Sequence, residues 1–381
     1  MNIGQKLWRK ESGWVDVSPQ VFQMPPQLVL SFGARALVED PVRFEEIRKM
    51  FPESHIISCS TAGEILGDRV RDDSIALTAI QFDTTTLSFA EADIDSAEDS
   101  FAVGKKLADS ISKDKLVHAM IFSDGLRMNG TQLTKSLNEN LPPAVSVTGG
   151  FAGDSTNFKR TAVGLDHAAQ EGKVVLVGFS GDALKVGYGA LGGWDSFGMD
   201  RVITKSSGNV LYELDGKPAL DLYERYLGER AKGLPSTGLL FPLRLKLGSD
   251  TDTEVVRSVL AINESDRSLK FGGDMPEGAT VTLMKASLEN LIDDATEAGS
   301  QSTKSLGSDR AELAILISCI ARKSVLQERV EEEIEAVRSA IGPQAAIIGF
   351  YSYGEISPTA VSRRQCLLHN QTMTVTVFRE T

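Results

Sequence analysis

The chain has 381 residues, of which 41% are hydrophobic and 24% are charged. This length and composition predict a globular protein of two or three domains with a well-buried core. Its net charge of −12 gives an acidic surface that repels phosphate groups, which disfavours nucleic acid and anionic membranes as partners.

Three segments, 28–65, 118–154 and 313–356, follow the same predicted order of strand, helix and strand. Internal repeats of this kind indicate that each segment forms one supersecondary unit. The first strand of each unit ends in Ser-x-x-x-Arg, and the second leads to a glycine followed by an acid. That acid lies twelve residues after a proline. The Ser/Arg pairs are Ser31/Arg35, Ser123/Arg127 and Ser318/Arg322, and the Pro/acid pairs are Pro52/Glu64, Pro142/Asp154 and Pro343/Glu355.

Helix signals inside the units support this order. Asp40 is a suitable N-cap, and Pro41 fits the first helical turn because no backbone N–H is needed there. Apolar residues at helical spacing predict one helix over 325–341. The two strands of a β-α-β unit lie parallel, so the loops after them meet at one edge of the sheet. Ligands of open α/β sheets bind at such an edge.

The segments outside the units alternate with the period of antiparallel strands. We therefore predict a mixed α/β fold of two related lobes, built from repeated β-α-β units plus antiparallel strands, with helices packed on mixed sheets. The predicted organisation is an N-terminal extension over 1–26, an N-terminal domain over 27–230 and a C-terminal domain over 231–381. A hairpin is predicted over 74–94, strands over 173–194, 201–216 and 367–378, and a helix over 217–228.

The repeated loops offer charged groups of both signs. Carboxylates could bind a ligand ammonium group, and arginines could clamp a ligand carboxylate through two hydrogen bonds. Together they would suit a zwitterion that resembles an amino acid. The alternative is that the arginines and acids pair with each other, or with loop N–H groups, inside the protein.

Two further residues have a chemical and a structural interpretation. Cys59 lies in a glycine-flanked loop, but none of the four histidines completes a catalytic signature with it. An enzyme that uses Cys59 or the loop carboxylates is therefore an alternative to a binding protein. His369 falls on the apolar side of the last strand, where it is either a buried structural histidine or an axial ligand of haem iron.

Several blocks in order along the chain resemble the FIST domain, in both its N-terminal and C-terminal halves. These blocks are SCSTAGEI, GGFAGD, VLYELDGKPALDLYERYLG, FYSYGEISP and LHNQTMTVTVF. The resemblance implies a stand-alone bacterial sensory protein that binds a small ligand. It implies as ligand-binding residues Ser58, Cys59, Ser60, Thr61, Gly63, Glu64, Gly149, Gly150, Asp154, Tyr351, Tyr353, Gly354, Glu355 and Asn370.

The resemblance also extends to partners and cofactors. Some stand-alone members of the family are regarded as haem-binding nitric-oxide sensors that act on a histidine kinase, and His369 would then be the haem ligand. We expect a ligand cleft between the two lobes, a signalling partner and no catalytic residues. The three cysteines lack a C-x-x-C, and the start of the chain lacks the apolar segment of a signal peptide, so the sequence predicts a cytoplasmic location.

Overall fold

The computed structural model describes residues 1–247, 254–307, 309–358 and 365–381. It confirms the mixed α/β class, because helices pack on sheets that combine parallel and antiparallel strands. The strands are β1 (Asn2–Arg9), β2 (Gly13–Ser18), β3 (Leu28–Gly33), β4 (His55–Ser60), β5 (Glu64–Leu66), β6 (Arg69–Arg71), β7 (Ile75–Gln81), β8 (Thr86–Asp93), β9 (Leu116–Ser123), β10 (Ser146–Phe151), β11 (Val163–Leu165), β12 (Lys173–Ser180), β13 (Leu184–Leu191), β14 (Trp194–Ser196), β15 (Arg201–Ser207), β16 (Val210–Leu214), β17 (Lys217–Pro218), β18 (Leu243–Lys246), β19 (Glu254–Arg257), β20 (Val259–Asn263), β21 (Ser268–Phe271), β22 (Thr280–Ala286), β23 (Leu313–Cys319), β24 (Ala346–Ser352), β25 (Glu355–Pro358), β26 (Cys366–His369) and β27 (Met373–Glu380). The helices are α1 (Arg35–Val38), α2 (Pro41–Met50), α3 (Ser100–Ser110), α4 (Gly130–Asn140), α5 (Ala219–Leu227), α6 (Leu288–Lys304), α7 (Ile320–Leu326) and α8 (Val330–Ile341).

The predicted helix boundaries agree with the structure in the first unit and differ in the third. Asp40 caps α2 by accepting a hydrogen bond from Val42 N at 2.9 Å, with Pro41 at the first helical position. The single helix predicted over 325–341 is wrong. Gln327 has a φ of +50°, which ends α7, and α8 begins only after a short turn.

The three predicted β-α-β units are confirmed. In each unit the two strands pair in parallel: β3 with β4, β9 with β10, and β23 with β24. On the other side of each first strand lies an antiparallel strand, which is β7, β12 and β27 in turn. These interior strands are buried almost throughout, as expected for strands covered on both faces.

The short strand that follows the acidic loop of each unit pairs with a strand of a different unit. Strand β5 of the first unit pairs with β24 of the third, and β25 of the third pairs with β10 of the second. Strand β11, which follows the second unit, pairs with β4 of the first. The exchange therefore closes a ring of three six-stranded sheets.

The outer strands extend this repeat over almost the whole chain. Strands β1, β8 and β13 occupy the same place in the three sheets, and each precedes its own β-α-β unit. The third repeat is interrupted between β13 and α6 by strands β14–β22, which form a separate nine-stranded sheet with α5 against it. Strands of the predicted N-terminal domain therefore pair with strands of the predicted C-terminal domain, as β5 does with β24 and β13 with β27. The boundary at 230/231 stays a prediction.

Three phenylalanines, one from each repeat, pack together in the core. The ring centroids of Phe32 and Phe350 are 4.8 Å apart, those of Phe32 and Phe122 are 5.6 Å apart, and those of Phe122 and Phe350 are 6.3 Å apart. All three side chains are fully buried. Truncating one such side chain to alanine typically costs about 3–5 kcal/mol, so this cluster holds the three sheets together. Within the described residues, no helix combines the length and apolar character needed to cross a membrane.

Candidate functional site

The three predicted loops contact one another. Each exchanges backbone hydrogen bonds with the other two, so strand exchange and loop convergence accompany each other. The donor–acceptor pairs are Gly153 N to Ser60 O (2.9 Å), Ala62 N to Tyr351 O (2.8 Å) and Phe151 N to Gly354 O (2.8 Å). The repeat in the sequence therefore brings three distant segments into one place.

All the predicted site residues are buried. These are Ser58, Cys59, Ser60, Thr61, Gly63, Glu64, Gly149, Gly150, Asp154, Tyr351, Tyr353, Gly354, Glu355, His369 and Asn370. The carboxylates of Glu64, Asp154 and Glu355 all face protein groups. Ligand binding by these residues stays a prediction.

Glu64 is held in place by its own loop and by the start of a neighbouring strand. Its Oε1 accepts a hydrogen bond from Thr61 Oγ1 at 2.6 Å. Its Oε2 accepts from Ser74 Oγ at 2.7 Å and from Ser74 N at 3.2 Å. Burial disfavours the charged form and raises the pKa of Glu64 to about 7, although these hydrogen bonds act in the opposite direction.

Glu355 makes the same set of contacts in the third repeat. Its Oε1 accepts from Ser352 Oγ at 2.6 Å, and its Oε2 accepts from Thr372 Oγ1 at 2.9 Å and Thr372 N at 3.1 Å. Burial again raises the pKa to about 7. The sequence repeat around Glu64 and Glu355 is thus explained by structure, because each carboxylate fastens a tight loop to the residue before an interior strand.

In the second repeat, the bond to the residue before the interior strand is made by Asp124 and not by Asp154, the acid of the loop. Asp154 accepts hydrogen bonds from Arg35 Nε at 3.3 Å and Asn157 Nδ2 at 3.4 Å. The residue before the interior strand β12 is Gly172, and its N–H donates to Asp124 Oδ2 at 3.1 Å. Sequence reasoning missed Asp124, although it directly follows the repeated serine at position 123.

Arg322 is a fully buried arginine that bonds to three elements. Its Nε donates to Glu333 Oε2 at 2.9 Å, and both side chains are 0% exposed. Its two terminal nitrogens donate to Gly192 O at 2.6 Å and Leu291 O at 2.7 Å. Tyr351 Oη donates to the other Glu333 oxygen at 2.5 Å. Each of the three guanidinium nitrogens thus has a protein acceptor, and the group is sealed in the core, so Arg322 is not placed to clamp a ligand carboxylate.

The other two repeated arginines also pair with acids of the protein. Arg35 bonds to Glu39 at 2.7 Å in addition to Asp154, and Arg127 bonds to Glu171 at 2.9 Å. Internal pairing is therefore the arrangement observed for all three arginines. This removes the structural basis for an arginine clamp on a zwitterionic ligand.

The Cys59 side chain is unsuited to nucleophilic catalysis. It is fully buried, and burial raises the pKa of its thiol far above the ordinary value, which disfavours the reactive thiolate. Cys319 and Cys366 are buried free thiols as well.

A groove with a volume of about 530 Å³ lies between the end of β13 and the start of α6. We call it the β13–α6 groove. Its size falls within the range of small-molecule sites. It is lined by Ala190, Leu191, Gly192, Gly193, Trp194, Glu254, Val255, Val256, Met284, Asn290, Asp293, Asp294, His369 and Thr372. Two of these residues connect the groove to the buried networks, because Gly192 bonds to Arg322 and Thr372 bonds to Glu355.

Residues 27–217 match the FIST N domain, and residues 219–358 match the FIST C domain. The chain belongs to the FIST family. FIST domains are associated with sensory roles in signal transduction. The β13–α6 groove is lined by residues 190–194 of the first FIST half, by residues between 254 and 294 of the second, and by His369 and Thr372, which lie beyond the matched ranges.

Two individual proteins are similar to this FIST chain. An uncharacterized protein of Methanocaldococcus jannaschii is 27% identical over 278 residues, which are 65% of this chain and 52% of the relative. The chain therefore spans about half the length of that relative. A cyanuric acid hydrolase structure from A. caulinodans covers 78% of this chain and 99% of its own, with 11% identity and a TM-score of 0.18. A likeness this weak supports no conclusion on fold or function.

The lining of the groove in this FIST protein does not fit haem. His369 is 4% exposed, and its Nε2–H donates to Ser357 O at 3.0 Å, which leaves Nδ1 as the only nitrogen that could bind iron. The misfit lies in the charges around it. The carboxylates of Glu254, Asp293 and Asp294 would repel the two propionates of haem, and the described lining residues include no lysine or arginine. Haem binding through His369 stays a prediction that this geometry does not favour.

The residues that line the groove were mostly missed at the sequence level. Asp293 and Asp294 lie in a helix whose amphipathic pattern indicates only a solvated face, and Trp194 stands alone after a glycine pair. His369 was the exception, because its position in an apolar strand was unusual for a titratable group.

Proposed function

We propose that this FIST protein is a sensory module that binds a small ligand in the β13–α6 groove and relays its presence to a signalling partner. The observation that carries the proposal is that buried Arg322 bonds to both walls of the groove. It donates to Gly192 O on the β13 side and to Leu291 O on α6. A ligand that changes the spacing of these walls must change the surroundings of a buried charge.

The same arginine offers a route from the groove to a more distant surface. Its carboxylate partner Glu333 lies on α8, which packs against α6. An unpaired buried charge costs several kcal/mol, so Arg322 and Glu333 are expected to move together. A ligand shifts such an equilibrium by as much as its affinity differs between the two states. We propose that a partner such as a histidine kinase reads the outer side of α8.

An enzymatic role is less well supported by these residues. Cys59 is sealed in the core, and Glu64 and Glu355 each accept hydrogen bonds from protein groups at both carboxylate oxygens. A substrate would have to displace these contacts before it could reach a catalytic group.

Thermal-shift screening with a metabolite library, repeated on a blocked variant, tests the proposal. Ala190 is a half-buried groove residue, and Ala190→Trp is expected to abolish the stabilisation by ligand because the indole fills the groove. Stabilisation at a hundred times Kd is about 2.7 kcal/mol for one site. Lys217→Trp, on an exposed strand outside the groove, is the matched control and should respond like the wild type. If every stabilising compound acts equally on Ala190→Trp, ligand binding in this groove is excluded.

A further inference from the structure

The charges in the β13–α6 groove have one sign. Its ionisable lining residues other than histidine are Glu254, Asp293 and Asp294. Glu254 is partly compensated by Arg244 at 3.6 Å and Lys246 at 4.0 Å. Among the described residues, Asp293 and Asp294 make no ion pair within 4.0 Å, although Asp294 accepts a backbone hydrogen bond from Gly193 and the charge of Arg322 acts on it. Asp293 is the less compensated of the two carboxylates.

His369 adds an independent hydrogen-bond acceptor. A carbonyl oxygen can only accept, so the contact between His369 Nε2 and Ser357 O places the proton on Nε2. Nδ1 is then a bare lone pair, and no described protein group donates to it. Burial lowers the pKa of His369 to about 4, which keeps the ring neutral near pH 7. This 96% buried side chain therefore offers the groove that it lines an acceptor with no donor among the described residues.

The rest of the lining is largely apolar. Trp194, Val255 and Met284 are buried side chains that contribute to the walls. An indole ring can stabilise a nearby cation, and the aliphatic neighbours suit an apolar body. The groove thus combines carboxylates, one neutral acceptor and apolar walls, and the polar side chains named here offer acceptors to a ligand that donates hydrogen bonds.

We propose that the ligand of the β13–α6 groove is an organic ammonium ion with an apolar body and no carboxylate. This inference rests on the proposed function, since it names the class of ligand that the sensor binds. A carboxylate on the ligand would meet Asp293 and Asp294 at close range and would lower its affinity. A metal ion is a poorer fit, because the described residues contain no cluster of three or more His, Cys, Asp or Glu groups that could hold one.

Matched sets of small probes test the charge of the ligand. Phenylethyl, cyclohexylmethyl and hexyl bodies would each be measured as the amine, the alcohol and the carboxylate by isothermal titration calorimetry at pH 7. At least one amine is expected to bind about tenfold more tightly than its alcohol, and no carboxylate is expected to bind. The inference is overturned if no amine exceeds its alcohol, or if a carboxylate binds as tightly as its amine.

Two double variants that change the net charge equally test whether Asp293 and Asp294 bind the amine. Asp293→Asn with Asp294→Asn is expected to weaken amine binding about tenfold, and added salt should weaken binding to the wild type. Asp95→Asn with Asp114→Asn changes the net charge equally at exposed positions and should alter affinity less than twofold. Equal weakening in both double variants would contradict the site. An uncharged ligand that Ala190→Trp blocks would refute the amine but retain the sensor, whereas the absence of any groove ligand would refute both.

Discussion

Replacing Arg322 with methionine is expected to lower the free energy of unfolding by about 3–5 kcal/mol, the usual cost of breaking a buried ion pair from one side. The variant leaves the Glu333 carboxylate buried without its cation and leaves Gly192 O and Leu291 O without their donor. Urea denaturation at pH 7 measures the loss. Arg322→Met with Glu333→Leu should lose less than the sum of the two single variants, because no lone charge remains.

The repeat itself supplies matched controls for this prediction. Arg35 occupies the equivalent place in the first repeat, but its side chain is 26% exposed and its partner Glu39 is 21% exposed, although its other partner Asp154 is buried. Arg35→Met is therefore expected to cost at most about 1 kcal/mol. If Arg322→Met and Arg35→Met lose equal free energy of unfolding, burial of the Arg322–Glu333 pair does not increase its contribution to stability.

Substituting both buried glutamates with glutamine is expected to remove a fall in stability between pH 4.5 and about 7. Glu64 and Glu355 have pKa values raised by burial from 4.5 to about 7, so the folded state holds these protons more tightly than the unfolded state. Stability from this source is fully present below pH 4.5 and is lost as the pH rises through 7. The shift corresponds to about 3 kcal/mol per group as an order of magnitude.

The measurement is the difference in unfolding free energy between the wild type and Glu64→Gln/Glu355→Gln from pH 5 to pH 8. Glutamine resembles the protonated side chain and can keep a hydrogen bond to Thr61 or Ser352. The double variant should therefore gain on the wild type as the pH rises. Glu53→Gln, at an exposed turn, should give a constant difference. A constant difference for the double variant as well would mean that burial does not hold these glutamates in the neutral form.

The sequence predicted several parts of the fold that depend on local pattern. The hairpin predicted over 74–94 is wrong, however, because β7 pairs with β1 and β3 while β8 pairs with β12 in another sheet. The cap at Asp40, the parallel pairing within each unit and the convergence of the loops follow from short segments with clear chemistry. Strand exchange could not be predicted, because β5, β11 and β25 have only three or four residues and nothing local distinguishes one parallel edge from another.

The candidate site was predicted less well than the fold, for a physical reason. A glycine followed by a glutamate has the same sequence signature whether the carboxylate meets a ligand or fastens its own loop. The partners that decide the matter, Ser74 and Thr372, lie 10 and 17 residues away along the chain. The groove joins residues from 190 to 372, and its acids carry no pattern of their own.

The ring of exchanged strands means that neither FIST half contains a complete sheet system. A fragment that ends at residue 217 would lack β24, β25 and β27, and so would leave β5, β10 and β13 with unpaired backbone N–H and C=O groups along exposed edges. Such edges recruit strands from other molecules and promote aggregation. Each half therefore needs strands of the other to complete its sheets, even though sequence comparison matches them as two domains.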